Sequence, residues 1–243
     1  MSDILYVFCE TVLIYPCVEI TEVSMVPSAL CFTTEISVGG LTVPPPEYVK
    51  VSVTSGLPNN GNVSVSVTGA AGTDFVLALR IPAWTAGNYK VTGADDLTTE
   101  IRNGYIFCSG FAADTCICLE FDMTAKVIAA DEKVAEDAGK VAIMRGPVVY
   151  CAEEADNGPA LREIRIKTPV EIAEKSTNEF GGEAVKLVIK ASRVKMEGSK
   201  IPSTSLYKTF YGFSSEDCDL TLIPYHLWAN RGEGEMSVYV GVE

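Results

Sequence analysis

Strict alternation between β-branched and small polar residues constrains this chain more than any other feature. Val51 and Val53 alternate with Ser52 and Thr54, and Val63, Val65 and Val67 alternate with Ser64, Ser66 and Thr68. Successive side chains on a strand point to opposite faces, so the pattern requires sheets with one dry face and one wet face. Between the two runs, Gly56-Leu57-Pro58-Asn59-Asn60-Gly61 is a turn cluster. Phe75 to Ile81 is a further run, closed by Pro82. Ile117, Leu119, Phe121 and Met123 then alternate with Cys116, Cys118, Glu120 and Asp122 as a half-buried strand.

A second set of strand-like runs begins near Lys126. Val141 to Met144 and Val148 to Cys151 flank Arg145-Gly146-Pro147, where glycine and proline impose a bend. Leu161 to Ile166, Ala184 to Ile189, Leu206 to Phe210, Leu220 to Ile223 and Met236 to Val242 complete the set. Asp131 to Lys140 is the best helical candidate, and it is short, acidic and closed by Gly139, enough for a turn or two. The expectation is an all-β protein of two consecutive antiparallel β-sandwich (jelly-roll-like) domains, residues 1–125 and 126–243, joined between Asp122 and Ala130. Residues 22 to 47 stay ambiguous, and Pro44-Pro45-Pro46 removes three donors in a row, so that piece is expected to be extended and outside any ladder.

Charge and cysteine usage narrow the partners. Acidic residues outnumber basic ones 32 to 19, a net charge of −13 that repels phosphate backbones and anionic lipid, so neither nucleic acid nor membrane is an expected partner. No apolar run approaches the roughly 20 residues that cross a bilayer. The start, Met1 to Cys17, has no basic region and no small-residue cleavage site, and reads as strand rather than signal peptide. The eight cysteines fall mostly inside apolar runs, such as Cys108 after Phe107 and Cys151 after Tyr150, where a free thiol acts as a small hydrophobe. Reduced thiols and a cytoplasmic location are the expectation.

The chemistry-bearing residues are sparse. Glycoside hydrolysis uses two carboxylates facing across a sugar. Glu153-Glu154 and Asp95-Asp96 are adjacent on the chain and so point apart, which leaves solvated surface acids as the plain reading. His226 is the only histidine, and a lone histidine in Tyr225-His226-Leu227-Trp228 reads as a structural residue rather than a catalytic base. Cys116 and Cys118 share a strand face and can in principle hold a soft metal, but the paired-cysteine or cysteine–histidine spacing of zinc sites is absent, so surface thiols are the plain reading. Trp84 and Trp228 can stack on sugars or fill a core or an interface.

Three stretches, in this order, carry a resemblance. They are Leu77-Ala78-Leu79-Arg80-Ile81-Pro82-Ala83-Trp84; Gly139 through Glu154 with the run Met144-Arg145-Gly146-Pro147-Val148-Val149-Tyr150 and Asp156-Asn157-Gly158 following; and Leu222-Ile223-Pro224-Tyr225-His226-Leu227-Trp228-Ala229-Asn230-Arg231-Gly232. Together they resemble the C-terminal part of glycoside hydrolase family 127, the β-L-arabinofuranosidase family, from about Tyr48 to Val242. The resemblance implies two β-sandwiches. It also implies that catalysis resides in a preceding (α/α)6 barrel, where a glutamate and three cysteines, two of them adjacent, hold zinc. No adjacent cysteine pair occurs here. No catalytic residue, metal ligand or cofactor is therefore expected in this chain, zinc belonging to the absent barrel, and the chain alone is expected to be inactive. The expected function is a non-catalytic accessory portion of a β-L-arabinofuranosidase-like hydrolase that packs on a separate or missing helical catalytic barrel. The alternative is a free-standing carbohydrate-binding or protein-interaction module. Candidate contacts to the helical domain or to a glycan are Trp84, Arg145, Tyr150, Asn157, Tyr225, His226, Trp228, Asn230 and Arg231.

Overall fold

The computed structural model describes residues 48–69, 75–200 and 206–243, together with the strands Asp3–Val7, Val12–Ile14, Val18–Ile20 and Phe32–Val38. The chain divides into two compact units, Met1–Met123 and Thr124–Glu243. The triple proline at 44–46 lies outside the described residues.

In the first unit, the described strands are β1 (Asp3–Val7), β2 (Val12–Ile14), β3 (Val18–Ile20), β4 (Phe32–Val38), β5 (Tyr48–Ser55), β6 (Asn62–Thr68), β7 (Phe75–Arg80), β8 (Tyr89–Thr92), β9 (Thr98–Arg102), β10 (Tyr105–Ser109) and β11 (Thr115–Phe121). They form two sheets, in the orders β2-β1-β7-β10-β9 and β3-β4-β5-β6-β11-β8. All neighbours are antiparallel except β1 and β7. The alternation now has a cause: Val51, Val53, Val63, Val65, Val67, Ile117 and Leu119 all point inward from one sheet. They meet Leu77, Leu79, Ile106 and Cys108 from the other, and this shared core makes the unit a sandwich. The Gly56–Gly61 cluster is the β5–β6 turn, with Ser55 paired to Val63. Gly61 is required by packing, since a Cβ there would sit 2.0 Å from the Phe121 carbonyl oxygen.

The second unit contains β12 (Ala125–Ala129), β13 (Lys140–Arg145), β14 (Val148–Glu153), the short helix α1 (Glu154–Asn157), β15 (Ile164–Ile166), β16 (Ile172–Thr177), β17 (Ala184–Lys200), β18 (Lys208–Pro224), β19 (Met236–Ser237) and β20 (Val240–Val242). The order β13-β20-β15-β17-β18-β14 returns to its start through a β13–β14 pairing, so the two faces of the layer are joined at both edges around one core. That core holds Ile143, Tyr150, Ile164, Ile166, Leu187, Ile189, Leu220 and Leu222. The glycine–proline bend is a two-residue hairpin loop. Arg145 pairs with Val148, and Gly146 takes φ +55°, which the first position of the tight turn demands. Asp131 to Lys140 contains one short turn of 3-10 helix, Ala135–Asp137.

Two strands run far beyond the apolar patches that mark them in the sequence. β17 and β18 each span 17 residues and pair from Leu187–Leu222 out to Lys200–Lys208, with a bulge at Glu197/Gly198. Past Arg193, where the β15 pairing ends, the outer arm leaves the unit's core and is mostly exposed, while cross-strand charges such as Lys190–Asp219 (2.7 Å) brace its base. Met196, Phe210, Tyr211 and Phe213 on the arm, and Tyr207 just before β18, are exposed.

Candidate functional site

Pro224 ends β18, and residues Tyr225–Leu227 continue as a single 3-10 turn. In that geometry positions three apart eclipse one another. Tyr225 and Trp228 therefore stand side by side, ring centroids 6.3 Å apart and planes 18° from parallel. Both are exposed, at 46% and 42%. His226 between them is exposed, and the Asn230 amide donates to the Leu227 carbonyl at 3.1 Å, closing the turn.

What holds this loop is a charge latch. Glu153, the last residue of β14, is only 5% exposed. Its Oε1 accepts the Ala229 amide at 2.9 Å, and its Oε2 accepts from the Arg231 guanidinium. The same guanidinium donates to both carboxylate oxygens of Asp156 on α1, at 3.0 and 2.5 Å. Ala229 is forced to φ +64°, a left-handed conformation costing about 1 kcal/mol for an L-residue, and the Glu153 bond fixes it there. Asn157 completes the anchor: its amide donates to the carbonyls of Glu153 (2.8 Å) and Thr221 (2.9 Å), and its oxygen accepts the Thr221 amide at 2.8 Å. From β17, Lys186 reaches Asp156 at 3.2 Å and Glu179 at 2.7 Å, and the Phe180 ring lies 5.1 Å from the Arg231 guanidinium carbon.

Electrostatics follow the geometry. Burial pushes the Asp156 carboxyl up, but the hydrogen bonds from Arg231 and Lys186 outweigh it and hold the group below its ordinary value. Asp156 in turn raises the Arg231 guanidinium further above its usual range. The Arg231 Nε is buried and has no hydrogen-bond partner, and the terminal nitrogens carry the ion pairs to Glu153 and Asp156, with Glu179 at 3.9 Å. Carboxylates that share one guanidinium fix a loop; neither is set up to pass a proton to a substrate.

The remaining candidates go elsewhere. Trp84 belongs to the first unit and packs on its core, edge-on to Phe121 at 5.7 Å. Tyr150 is 2% exposed and donates to the Val185 carbonyl at 2.9 Å, so the expectation that it makes surface contacts is corrected. Arg145 is likewise buried, its Nε bound to Glu174 at 2.9 Å, and Asn157 is consumed by the anchor. The structure brings together Tyr225, His226, Trp228, Asn230 and Arg231. Glu153, read from the sequence as a solvated acid, is the buried centre of the latch; adjacency to Glu154 says nothing of an arginine far along the chain. Lys186, Glu179 and Phe180 carry no sequence signal that singles them out.

The second unit is thus a mainly β domain that presents an aromatic pair on a latched loop. Comparison with known proteins gives the family. Residues 125–241 match the glycoside hydrolase family 127 C-terminal domain, and residues 37–123 match the β-L-arabinofuranosidase GH127 middle domain. The chain belongs to glycoside hydrolase family 127, of which it carries these two domains. It is 34% identical over 194 residues to a non-reducing end β-L-arabinofuranosidase of Bifidobacterium longum subsp. longum, covering 76% of this chain and 29% of that protein. Among solved structures, a GH127 β-L-arabinofuranosidase from Geobacillus stearothermophilus T6 superposes with a TM-score of 0.72 at 27% identity, covering 100% of this chain and 34% of that one. Another GH127 β-arabinofuranosidase gives 0.66 at 26% identity over 88% of this chain and 34% of that one. The chain thus spans about a third of the length of these relatives.

Proposed function

We propose that this chain is the non-catalytic accessory portion of a β-L-arabinofuranosidase-like hydrolase and docks on a helical catalytic domain through the Tyr225–Trp228 surface. The observation that carries this reading is the exposure of two parallel aromatic rings on a loop that the Glu153–Arg231–Asp156 latch immobilises. Aromatic side chains pre-fixed in this way lose little entropy on association, and tyrosine and tryptophan are the residue types that dominate interface energetics. Exposed Met196, Phe210, Tyr211 and Phe213 on the arm of β17 and β18 supply further uncovered apolar surface. The role assigns hydrolysis to the partner, because the latch carboxylates Glu153 and Asp156 are tied to Arg231 and Lys186.

The test is hydrolysis of nitrophenyl arabinofuranoside by the purified chain supplied with zinc. No turnover above the buffer rate is expected, and enzyme-like turnover overturns the proposal. The near-parallel rings also favour a second reading, a glycan platform, because such a pair covers the apolar faces of sugars. Saturable arabinan binding that disappears in a Tyr225→Ser, Trp228→Ser double variant selects that reading over docking.

A further inference from the structure

The outer face of the six-stranded sheet of the first unit carries an unexplained pair of thiols. Cys116 and Cys118 on β11 are both exposed, while Ile117 and Leu119 between and beyond them are buried in the core. Cysteine is among the residue types most often buried, and Cys108 and Cys151 in this chain conform. Across the ladder, Cys116 faces Ser66 and Cys118 faces Ser64. The Cys116 Sγ lies 3.3 Å from the Ser64 Oγ and 3.7 Å from the Ser66 Oγ, and the Cys118 Sγ lies 4.0 Å from that same Ser64 oxygen. Both sulfurs converge on one hydroxyl.

Residues two apart on a strand have Cα atoms roughly 6.6 Å apart with nearly parallel side chains. That is the upper limit for a disulfide, whose Cβ atoms must come within about 4.5 Å. A bridging ion bound through two metal–sulfur bonds of about 2.3 Å spans roughly 4.6 Å between sulfurs, a reach that a direct sulfur–sulfur bond of about 2 Å does not have. The serine hydroxyls donate to sulfur as readily as they accept, and those of Ser64 and Ser66 both stand beside the Cys116 sulfur. Thiolate donors select soft cations, and two of them suit a d10 ion of low coordination number.

We propose that Cys116 and Cys118 form a two-thiolate site for monovalent copper on this sheet face, with Ser64 and Ser66 as hydrogen-bonding supports. Binding is coordination without redox change: each thiol releases its proton to solvent as its sulfur binds the ion. This departs from the plain reading of the two residues as surface thiols, because the structure places both sulfurs around one hydroxyl.

The experiment is an anaerobic competition for copper(I) between the fully reduced 243-residue chain and the chromophoric chelator bicinchoninate. The wild type is expected to withdraw one equivalent of copper(I). Loss of one outer-shell partner alone weakens metal sites by about 10–100-fold, so Cys116→Ser and Cys118→Ser should each weaken binding by more than about 100-fold, and Ser64→Ala by about 10-fold. Far-ultraviolet circular dichroism confirms that the exposed-site variants keep the fold. A wild-type chain that takes no copper from the chelator overturns the proposal. So does a Cys116→Ser, Cys118→Ser double variant that still binds one equivalent with wild-type affinity, since the ion then belongs to other cysteines.

Discussion

Replacing Arg231 with methionine tests whether the latch holds the second unit together. The substitution keeps the apolar stem over the Phe180 ring and removes the guanidinium. Glu153 is left with a single bond from the Ala229 amide, whereas Asp156 keeps Lys186 at 3.2 Å. Removing one partner of a buried ion pair costs about 3–5 kcal/mol, because the other charge stays buried without compensation. The Arg231 side chain is 21% exposed and Asp156 retains a cation, so the lower end applies, about 3 kcal/mol. For a unit of this size, about 3 kcal/mol lowers Tm by roughly 10 °C. The assay is thermal and urea unfolding followed by tryptophan fluorescence in a Trp84→Phe background, where Trp228 alone reports on the second unit. Adding Glu153→Gln to the Arg231→Met chain should restore about 1–2 kcal/mol, since it removes the stranded charge. The pH dependence has a defined sign. The folded carboxyl of Asp156 titrates below its ordinary 3.8, so its contribution is present above that value and is lost as pH falls through the folded pKa. The Arg231→Met chain should therefore have a shallower acid limb than the wild type. An Arg231→Met protein that melts within about 2 °C of wild type, or a double variant less stable than the single one, refutes the reasoning.

Three more outcomes follow from the same contacts. Burial pushes the thiols of Cys108 and Cys151 up to about 11 and about 12, and the Tyr150 phenol up to about 12, so all three bind their protons more tightly in the folded chain. Their stabilisation is complete below the ordinary values of 9.0 and 10.0 and drains away as pH rises through the folded ones, so urea midpoints should fall progressively above pH 9.0; a flat alkaline limb contradicts this. Tyr150→Phe leaves the buried Val185 carbonyl without its donor and should cost about 1–2 kcal/mol in urea unfolding, with an unchanged m-value. The Tyr225→Ser, Trp228→Ser double variant should unfold within about 1 kcal/mol of wild type yet lose association with a family 127 helical domain in a pull-down; a large stability loss would make the rings structural instead.

The legible part of this fold is the part set by short-range rules. A valine at 51, 53, 63, 65 or 67 announces its face because the period of a strand is two, and each of these side chains is buried. Gly146-Pro147 announces a hairpin because only certain residues accept its backbone angles. The arm of β17 and β18 escaped because its outer half is stabilised by a partner strand and by cross-strand polar contacts such as Ser214–Glu197 rather than by burial, and pairing leaves no periodic trace in either strand taken alone. The candidate site divides along the same line. Tyr225, Trp228 and Arg231 stand out locally, but the residues that make them a rigid surface come from β14, α1 and β17. β14 pairs with β18, and β18 with β17, so Glu153, Asp156 and Lys186 are gathered only when the ring of strands has closed. The loop that presents the aromatic pair is thus a product of the completed unit, and a peptide spanning 224–232 has no means of holding Ala229 in its left-handed conformation or the two rings in parallel.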